Sequence, residues 1–252
     1  MTNLVKHSKL SSCLRHAVAR VALPVLLLLS LAGMQPAAAF IPVQTYYVPL
    51  PEDELLSSFR DMTTRCSACT TPRSPIRTLI SIVVSADGTQ ILYDQHEDGY
   101  ERDPSNPAGL KPGGTTEIWG DGDLSNGVAP GYPSDLLNAG DVISLDNDVS
   151  VPSSAIFFDG ADKIVASFPV VMTRAAIPTG PGALQAGAME ALPIERWGTS
   201  YVAPVGVNTR DSNSMFQYNA LYVMARTDNT VCAIDPDPAR TGEPRRGHPD
   251  PQ

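Results

Sequence analysis

The sequence predicts an all-β fold: an antiparallel β-sandwich or barrel-like module with long Gly/Pro-rich loops and at most one short N-terminal helix. Three observations point there. From Ile76 onward, apolar residues recur in short alternating runs bounded by Gly, Pro, Asn and Asp. Two Asp-Gly dipeptides, 87–88 and 159–160, sit between such runs, which is a hairpin signal. Helical spacing is confined to one stretch before residue 65.

The first elements are not part of that fold. Lys6, Lys9, Arg15 and Arg20 precede an apolar run from Val21 to Gly33, and Ala37 and Ala39 stand three and one residues before Phe40. A basic start, an apolar core and a small-residue cut site make residues 1–39 a secretory signal. The apolar core is shorter than the about 20 residues that a membrane span needs, so no stable membrane span is expected after cleavage. The expected protein is exported, to the periplasm, the cell surface or beyond. Without the signal, 18 − 4 = 14 Lys and Arg face 27 Asp and Glu, a balance of 14 − 27 = −13. Such an acidic chain argues against nucleic acid as a partner.

Residues 40–75 form a lead-in. Pro51 and Glu52 suit a first helical turn, and Leu55, Leu56, Phe59 and Met62 recur at helical spacing. A short helix from Glu52 to Met62 is expected. "CSACTTPRSP" then reads as a loop. Its Cys66 and Cys69 suit a local disulfide, a redox pair or half of a zinc site, and the disulfide is preferred in an oxidising compartment. Cys232 is left over.

The β-rich domain is assigned to residues 76–235. "IRTLISIVVSA" and "TQILYD" flank Asp87-Gly88 as a first hairpin. "TTEIWG" and "DVISLDNDV" read as strands. "SAIFFDGADKIVASFPVVMTRA" reads as a second hairpin around Asp159-Gly160. "TGPGALQAG" reads as a hairpin connection, and "SYVAPVG", "NALYVMAR" and "NTVCAID" as further strands, for about nine in all. Trp197 is expected to be a buried packing anchor beside Gly198; a sugar-stacking surface ring is the alternative. Residues 236–252 hold almost no apolar side chain and are expected to be disordered. That collapse suggests a truncated reading frame or a fragment of a longer protein.

Two segments carry candidate chemistry. "YDQHEDGYERD", residues 93–103, packs five acidic residues and a histidine into eleven positions. If the strand persists past Tyr93, Asp94, His96 and Asp98 share one face and can hold a divalent cation. The preferred reading is a strand-to-turn segment with Tyr93 inward and Asp98-Gly99 turning the chain, its carboxylates splayed into water. Acid–base catalysis is the weakest of the three readings. In "DGDLSNG", Asp121, Asp123 and Ser125 match the first three positions of a calcium loop. Asn126 and Tyr132 then break the pattern, so a Gly/Asn-rich turn is preferred. The two acidic clusters can still converge in space. No nucleophile motif is present: there is neither a GxSxG nor an HExxH. No catalytic or cofactor-binding residue is assigned, and calcium is the only cofactor considered.

"YDQHEDGYERD", "TTEIWGDGDLSNG", "LNAGDVISLDNDV", "IFFDGADKIVASFPVVMTRAA" and "GAMEALPIERWGTSYVAPVG" follow one another in this order. That succession, over residues 42 to 234, resembles exported bacterial proteins related to the amino-terminal domain of the IgG Fc-binding protein family. The resemblance implies a β-rich extracellular module without catalytic residues. The expected role is therefore non-enzymatic, structural or adhesive, toward an unknown protein or glycan ligand. The alternatives are a secreted carbohydrate-active enzyme or lectin using the acidic loops, and a calcium-dependent module.

Overall fold

A computed structural model describes residues 43–64, 69–101, 113–179, 188–203, 220–234 and 245–246. The signal, Cys66, Arg102 and Asp103, and most of the tail lie outside the described residues. The fold is an open sandwich of two antiparallel four-stranded sheets, not a closed barrel. Its strands are β1 (Gln44–Tyr47), β2 (Arg73–Val84), β3 (Ile91–Asp94), β4 (Thr116–Trp119), β5 (Val142–Val149), β6 (Lys163–Ala166), β7 (Val170–Thr179) and β8 (Ala188–Ala191). One helix, α1 (Glu52–Thr64), lies between β1 and β2. Sheet I runs β1-β6-β3-β4, and sheet II runs β5-β2-β7-β8. β1 lies in the stretch read as a lead-in, yet it pairs with β6 as a full member of sheet I.

Alternation sets the two layers. Ile80, Ile82 and Val84 of β2, Ile143 and Leu145 of β5, and Val170 and Met172 of β7 face inward. They meet Tyr46, Ile91, Tyr93, Trp119 and Ile164 from sheet I in one core. Tyr93 stacks on Trp119 with ring centroids 4.9 Å apart. Trp119 is fully buried, whereas Trp197 is only half-buried. The expected anchor role of Trp197 therefore falls to Trp119. Trp119 occupies an inner-face strand position, while Trp197 follows a 3-10 turn (Ile194–Arg196) at the rim, 6.1 Å from the Tyr47 ring.

Helix α1 forms where expected. Glu52, Asp53 and Glu54 occupy its first turn, where the helix dipole favours negative charge. Leu55, Leu56 and Phe59 give it one buried face, which packs on Ile76 and Ala176 of sheet II.

Both expected hairpins are corrected. β2 pairs with β5 and β7 but not with β3. The Asp87-Gly88 turn instead carries the chain from sheet II to sheet I. No strand lies between β5 and Asp159-Gly160; the turn there leads into β6, and the chain then crosses to β7 in the other sheet. The pair β7–β8 does flank the connection that begins at Thr179, although residues 180–187 lie outside the described residues. The described parts of "SYVAPVG" and "NALYVMAR" hold no strand, and "NTVCAID" contributes only β9 (Ala233–Ile234), paired with β10 (Arg245–Arg246). Val202, Leu221, Val223 and Val231 of these stretches are exposed, and alternation without a surface to cover does not make a strand.

Candidate functional site

Three chain segments meet at one end of sheet I. β1 leaves at Tyr47 opposite Lys163, where β6 begins, and β3 ends at Asp94, also opposite Lys163. The inner face of β3 carries Ile91 and Tyr93, and that of β6 carries Ile164. Two residues before Ile164, the same face presents Asp162. The strand period thus delivers a carboxylate to the end of an apolar core, where Asp162 is 0 % exposed.

The turn before β6 is built around this carboxylate. Asp159 donates its N–H to Asp162 Oδ2 at 2.9 Å. Val48 and residues 161–162 exchange backbone bonds, Val48 N to Asp162 O at 2.8 Å and Ala161 N to Val48 O at 2.9 Å. Gly160 cannot carry a side chain: an added Cβ would lie 2.6 Å from Leu50 O and Pro51 Cα. The positive φ of the turn falls on Ala161, at 79°.

The turn after β3 closes over it. Gly99 N bonds His96 O at 2.7 Å, and Gly99 has φ 86°, a conformation that glycine takes without steric cost. This turn brings Glu97 to Asp159 and Asp162, with one carboxylate oxygen of each within 4.8 Å of the others. Glu97 is exposed and the two aspartates are buried. Asp159 Oδ1 and Asp162 Oδ1 have no hydrogen-bond partner, and neither does the Tyr93 hydroxyl, which is turned toward Asp162. Burial, reinforced by the charges of Glu52 and Asp162, pushes Asp159 up to about 9. Burial likewise pushes Asp162 up to about 8, opposed by the proximity of the Tyr93 hydroxyl, which lies near Asp162 without a bond of ordinary geometry, and by the N–H groups of Asp159 and His96.

Beside this acidic group lies a balanced one. Glu52 and Arg174 form a buried ion pair, and Glu52 also accepts from the Thr78 hydroxyl and from Gly160 N at 3.0 Å. The Arg174 guanidinium donates further to Pro49 O at 3.2 Å and to Leu50 O and Ala175 O at 3.1 Å each.

The residues singled out in sequence are placed differently. β3 does not persist, so Asp94, His96 and Asp98 do not share a strand face. Asp94 is buried on the outer side of sheet I, across from Thr116, and accepts Glu101 N at 2.9 Å. The expected splaying into water therefore fails for Asp94 and Glu101, both buried, and among the described carboxylates of the segment holds for the exposed Glu97 and Asp98. His96 packs its ring against Tyr100, centroids 4.4 Å apart. Asp98 accepts from the Thr115 hydroxyl at 3.0 Å.

The second segment is a self-satisfied turn. Asp121 accepts Asp123 N at 2.9 Å and Asn126 Nδ2 at 2.8 Å. Asp123 accepts Ser125 N at 3.0 Å and the Ser125 hydroxyl at 2.6 Å, and the Ser125 bonds hold Asp123 below the usual carboxylate range. Asp135 secures the turn, accepting Gly120, Asp121 and Gly122 N–H at 2.6, 2.9 and 2.8 Å. Both Asp121 oxygens and Asp123 Oδ1, considered as calcium ligands, thus accept the loop's own donors. Glu101 of the first segment and Ser125 and Asn126 of the second line one cleft of about 620 Å³ together with Glu117, but Asp121 and Asp123 are not part of its lining. Glu117 there accepts the Trp119 indole N–H at 2.8 Å.

Sequence reasoning missed Asp159, Asp162, Glu52 and Arg174. Arg174 was visible as a charge at an inward position of an alternating strand. Asp162 carried the same signal, two residues before the inward Ile164.

Among the described residues, no helix is long and apolar enough to cross a membrane. A family model described as IgGFc binding protein matches residues 115–247. No curated protein and no solved structure matches the chain.

Proposed function

We propose, from the premise that this chain belongs to the IgGFc binding protein family, that it is an exported, non-enzymatic β-sandwich module that binds a protein ligand outside the cytoplasm. The observation that carries the protein-binding reading is the outer face of sheet II. Val142, Val83 and Val171 are cross-strand neighbours there. Val142 is 47 % and Val171 49 % exposed. Leu79 and Ala175 form a second apolar pair on that face, with Ile177 beside them. Clustered exposed apolar side chains on a soluble domain mark interaction surfaces more often than scattered ones do.

The cleft between Glu101 and Asn126 favours a glycan ligand as a second reading. It ranks lower because Glu117, one of its two carboxylates, is already held by Trp119. Export follows from the signal-like residues 1–39.

Immunoglobulin Fc, the ligand in the family's name, is the first probe. The full chain is passed over immobilised Fc by surface plasmon resonance, with a glycan array in parallel. Retention weakened by Val171→Lys, at an unchanged melting temperature, supports the reading. Glycan binding lost in Glu101→Gln, with no protein retention, transfers the function to the cleft. Turnover of glycoside substrates contradicts the non-enzymatic assignment. N-terminal sequencing of exported material should begin at Phe40, and a start at Met1 contradicts export by cleavage.

A further inference from the structure

We propose that Glu97, Asp159 and Asp162 bind a divalent cation of the calcium class, which staples the turn after β3 to the turn before β6. Three carboxylates converge from two different loops, each offering an oxygen within 4.8 Å of the others. Carboxylates this close repel one another unless a proton or a cation intervenes. The charged groups that bear most on Asp159 are Glu52, Asp162 and Glu97, all acidic. Glu52 is neutralised by Arg174, so that cation is already engaged. Lys163, next in sequence to Asp162, sends its ammonium the other way, 5.6 Å from the centre of the Tyr100 ring.

The second observation is independent of the acids. Tyr93 is fully buried, its hydroxyl has no hydrogen-bond partner, and it is turned toward Asp162. Buried polar atoms are almost always paired. Here the orphaned Tyr93 Oη, Asp159 Oδ1 and Asp162 Oδ1 belong to side chains that meet at one point. An ion bound by both aspartates would satisfy their two free oxygens at once and give the Tyr93 hydroxyl a coordinated carboxylate to donate to.

The donor set names the ion class. All three ligands are hard oxygens, with no imidazole or thiolate, which suits calcium or magnesium over zinc. Calcium–oxygen bonds of about 2.3–2.6 Å give a coordination sphere about 4.6–5.2 Å across, against about 4.0–4.2 Å for magnesium. Calcium also accepts irregular sets of six to eight oxygens, such as carboxylates brought together by two turns, whereas magnesium demands near-ideal octahedral geometry. Glu97, the exposed member, leaves one side open to water ligands.

The site also reports on itself. Tyr93 stacks on Trp119, so a terbium ion bound at the carboxylates would be excited through these rings. The purified full chain, freed of metal with EGTA, is titrated with terbium at pH 8, and calcium and magnesium are then used as competitors. The expected result is saturable emission displaced by calcium in preference to magnesium. Glu97→Gln should weaken binding by about tenfold or more, and Asp121→Asn should leave it unchanged. Because Glu97 is exposed, its variant tests ligation without disturbing the core. Calcium at about 5 mM, above the range typical of extracellular modules, should also raise the melting temperature of the unmodified chain and not that of Glu97→Gln. No saturable emission and no melting shift would overturn the proposal and leave the two aspartates sharing a proton instead. Binding that survives Glu97→Gln but is lost in Asp121→Asn would overturn it in favour of the other loop. Magnesium competing as well as calcium would refute the ion class.

Discussion

Two buried polar groups sit side by side at one end of the sandwich and are solved in opposite ways. In one, Glu52 meets Arg174, and the remaining valences of both are used: Thr78 and Gly160 donate to the carboxylate, and three backbone carbonyls accept from the guanidinium. In the other, Asp159, Asp162 and Glu97 meet one another, a tyrosine hydroxyl and the His96 N–H, with no basic side chain among the causes that shift the two aspartates, and three buried polar atoms stay unpartnered. Removing charge from water costs several kcal/mol per ion unless paired and hydrogen-bonded. The first group meets that condition within the chain and ties α1 to sheet II. The second does not; its two aspartates are pushed toward the protonated form, and buried acids perturbed in this way cluster at functional sites.

The largest effect should come from breaking the balanced group. Arg174→Met leaves Glu52 charged, buried and without its cation, and should cost about 3–5 kcal/mol in urea denaturation. Adding Glu52→Gln should return part of that loss, since the amide oxygen still accepts from Thr78 or Gly160. A double variant no more stable than Arg174→Met alone would mean that the guanidinium matters for its carbonyl contacts rather than for its charge.

A third arrangement, at the buried Asp135, tests whether balance requires a cation at all. Asp135 is compensated by three backbone N–H groups instead. Asp135→Ala should cost about 2 kcal/mol, the scale of a charge-assisted hydrogen bond, since the exposed part of the turn can regain water. Little change on thermal melting would mean that the turn is held by the Asp121 and Asp123 bonds alone.

How much of this was legible in the sequence varies with the kind of information involved. Alternation placed β2, β5 and β7 correctly, because one face of each is buried and the period is two. It placed Tyr93 inward for the same reason. It could not say which strands pair. Asp87-Gly88 does turn the chain, with Gly88 at φ 72°, but the turn leads to the other sheet, because a dipeptide fixes local torsion and not destination. At Asp159-Gly160 the signal misled further: the positive φ is on Ala161, and the glycine is there because Leu50 and Pro51 press against it. In the candidate site, the dense acidic string of residues 94–103 drew attention to itself, yet among its described residues only Glu97 reaches the cluster. Its partners lie about sixty residues on, and their nearness depends on β3 and β6 pairing. Arg174 and Asp162 were readable as charges on inward positions; what each would meet was not.

The pH response should separate the groups again. Asp159 and Asp162 titrate at about 9 and about 8 when folded, against about 3.9 unfolded. The folded state therefore holds protons that the unfolded state releases, and stability falls as pH rises. Facing them are Glu52 and Glu97, the Tyr93 hydroxyl and, through Glu52, Arg174. Their contribution is full below about pH 4, declines through neutrality and levels off above about pH 9. Asp123 and Asp146 are shifted downward, by Ser125 and Arg77 respectively, so they act with the opposite sign only at more acid pH. In EGTA, the melting temperature should drop between about pH 5 and pH 9. A rise over that window would show the two aspartates to be ionised and stabilised in the folded chain.

The smallest predicted effect has the most informative sign. Asp162→Asn keeps an oxygen to accept Asp159 N–H, removes an acid whose ionisation near pH 8 is opposed by burial and by Glu97, and supplies a donor that persists when the carboxyl would lose its proton. In EGTA at pH 8 it should therefore stabilise the chain, by about 1 kcal/mol, the worth of roughly one pK unit. At pH 4.5, where the aspartic acid is already protonated, it should change little. Substitution of a buried acid ordinarily destabilises, as Glu52→Gln should at both pH values, because Arg174 then loses its counter-charge. Calcium should reverse the order at pH 8: the unmodified chain gains and Asp162→Asn does not. A variant that is less stable than the parent at both pH values, with and without calcium, would place Asp162 in the same class as Glu52 and remove the distinction between the two groups.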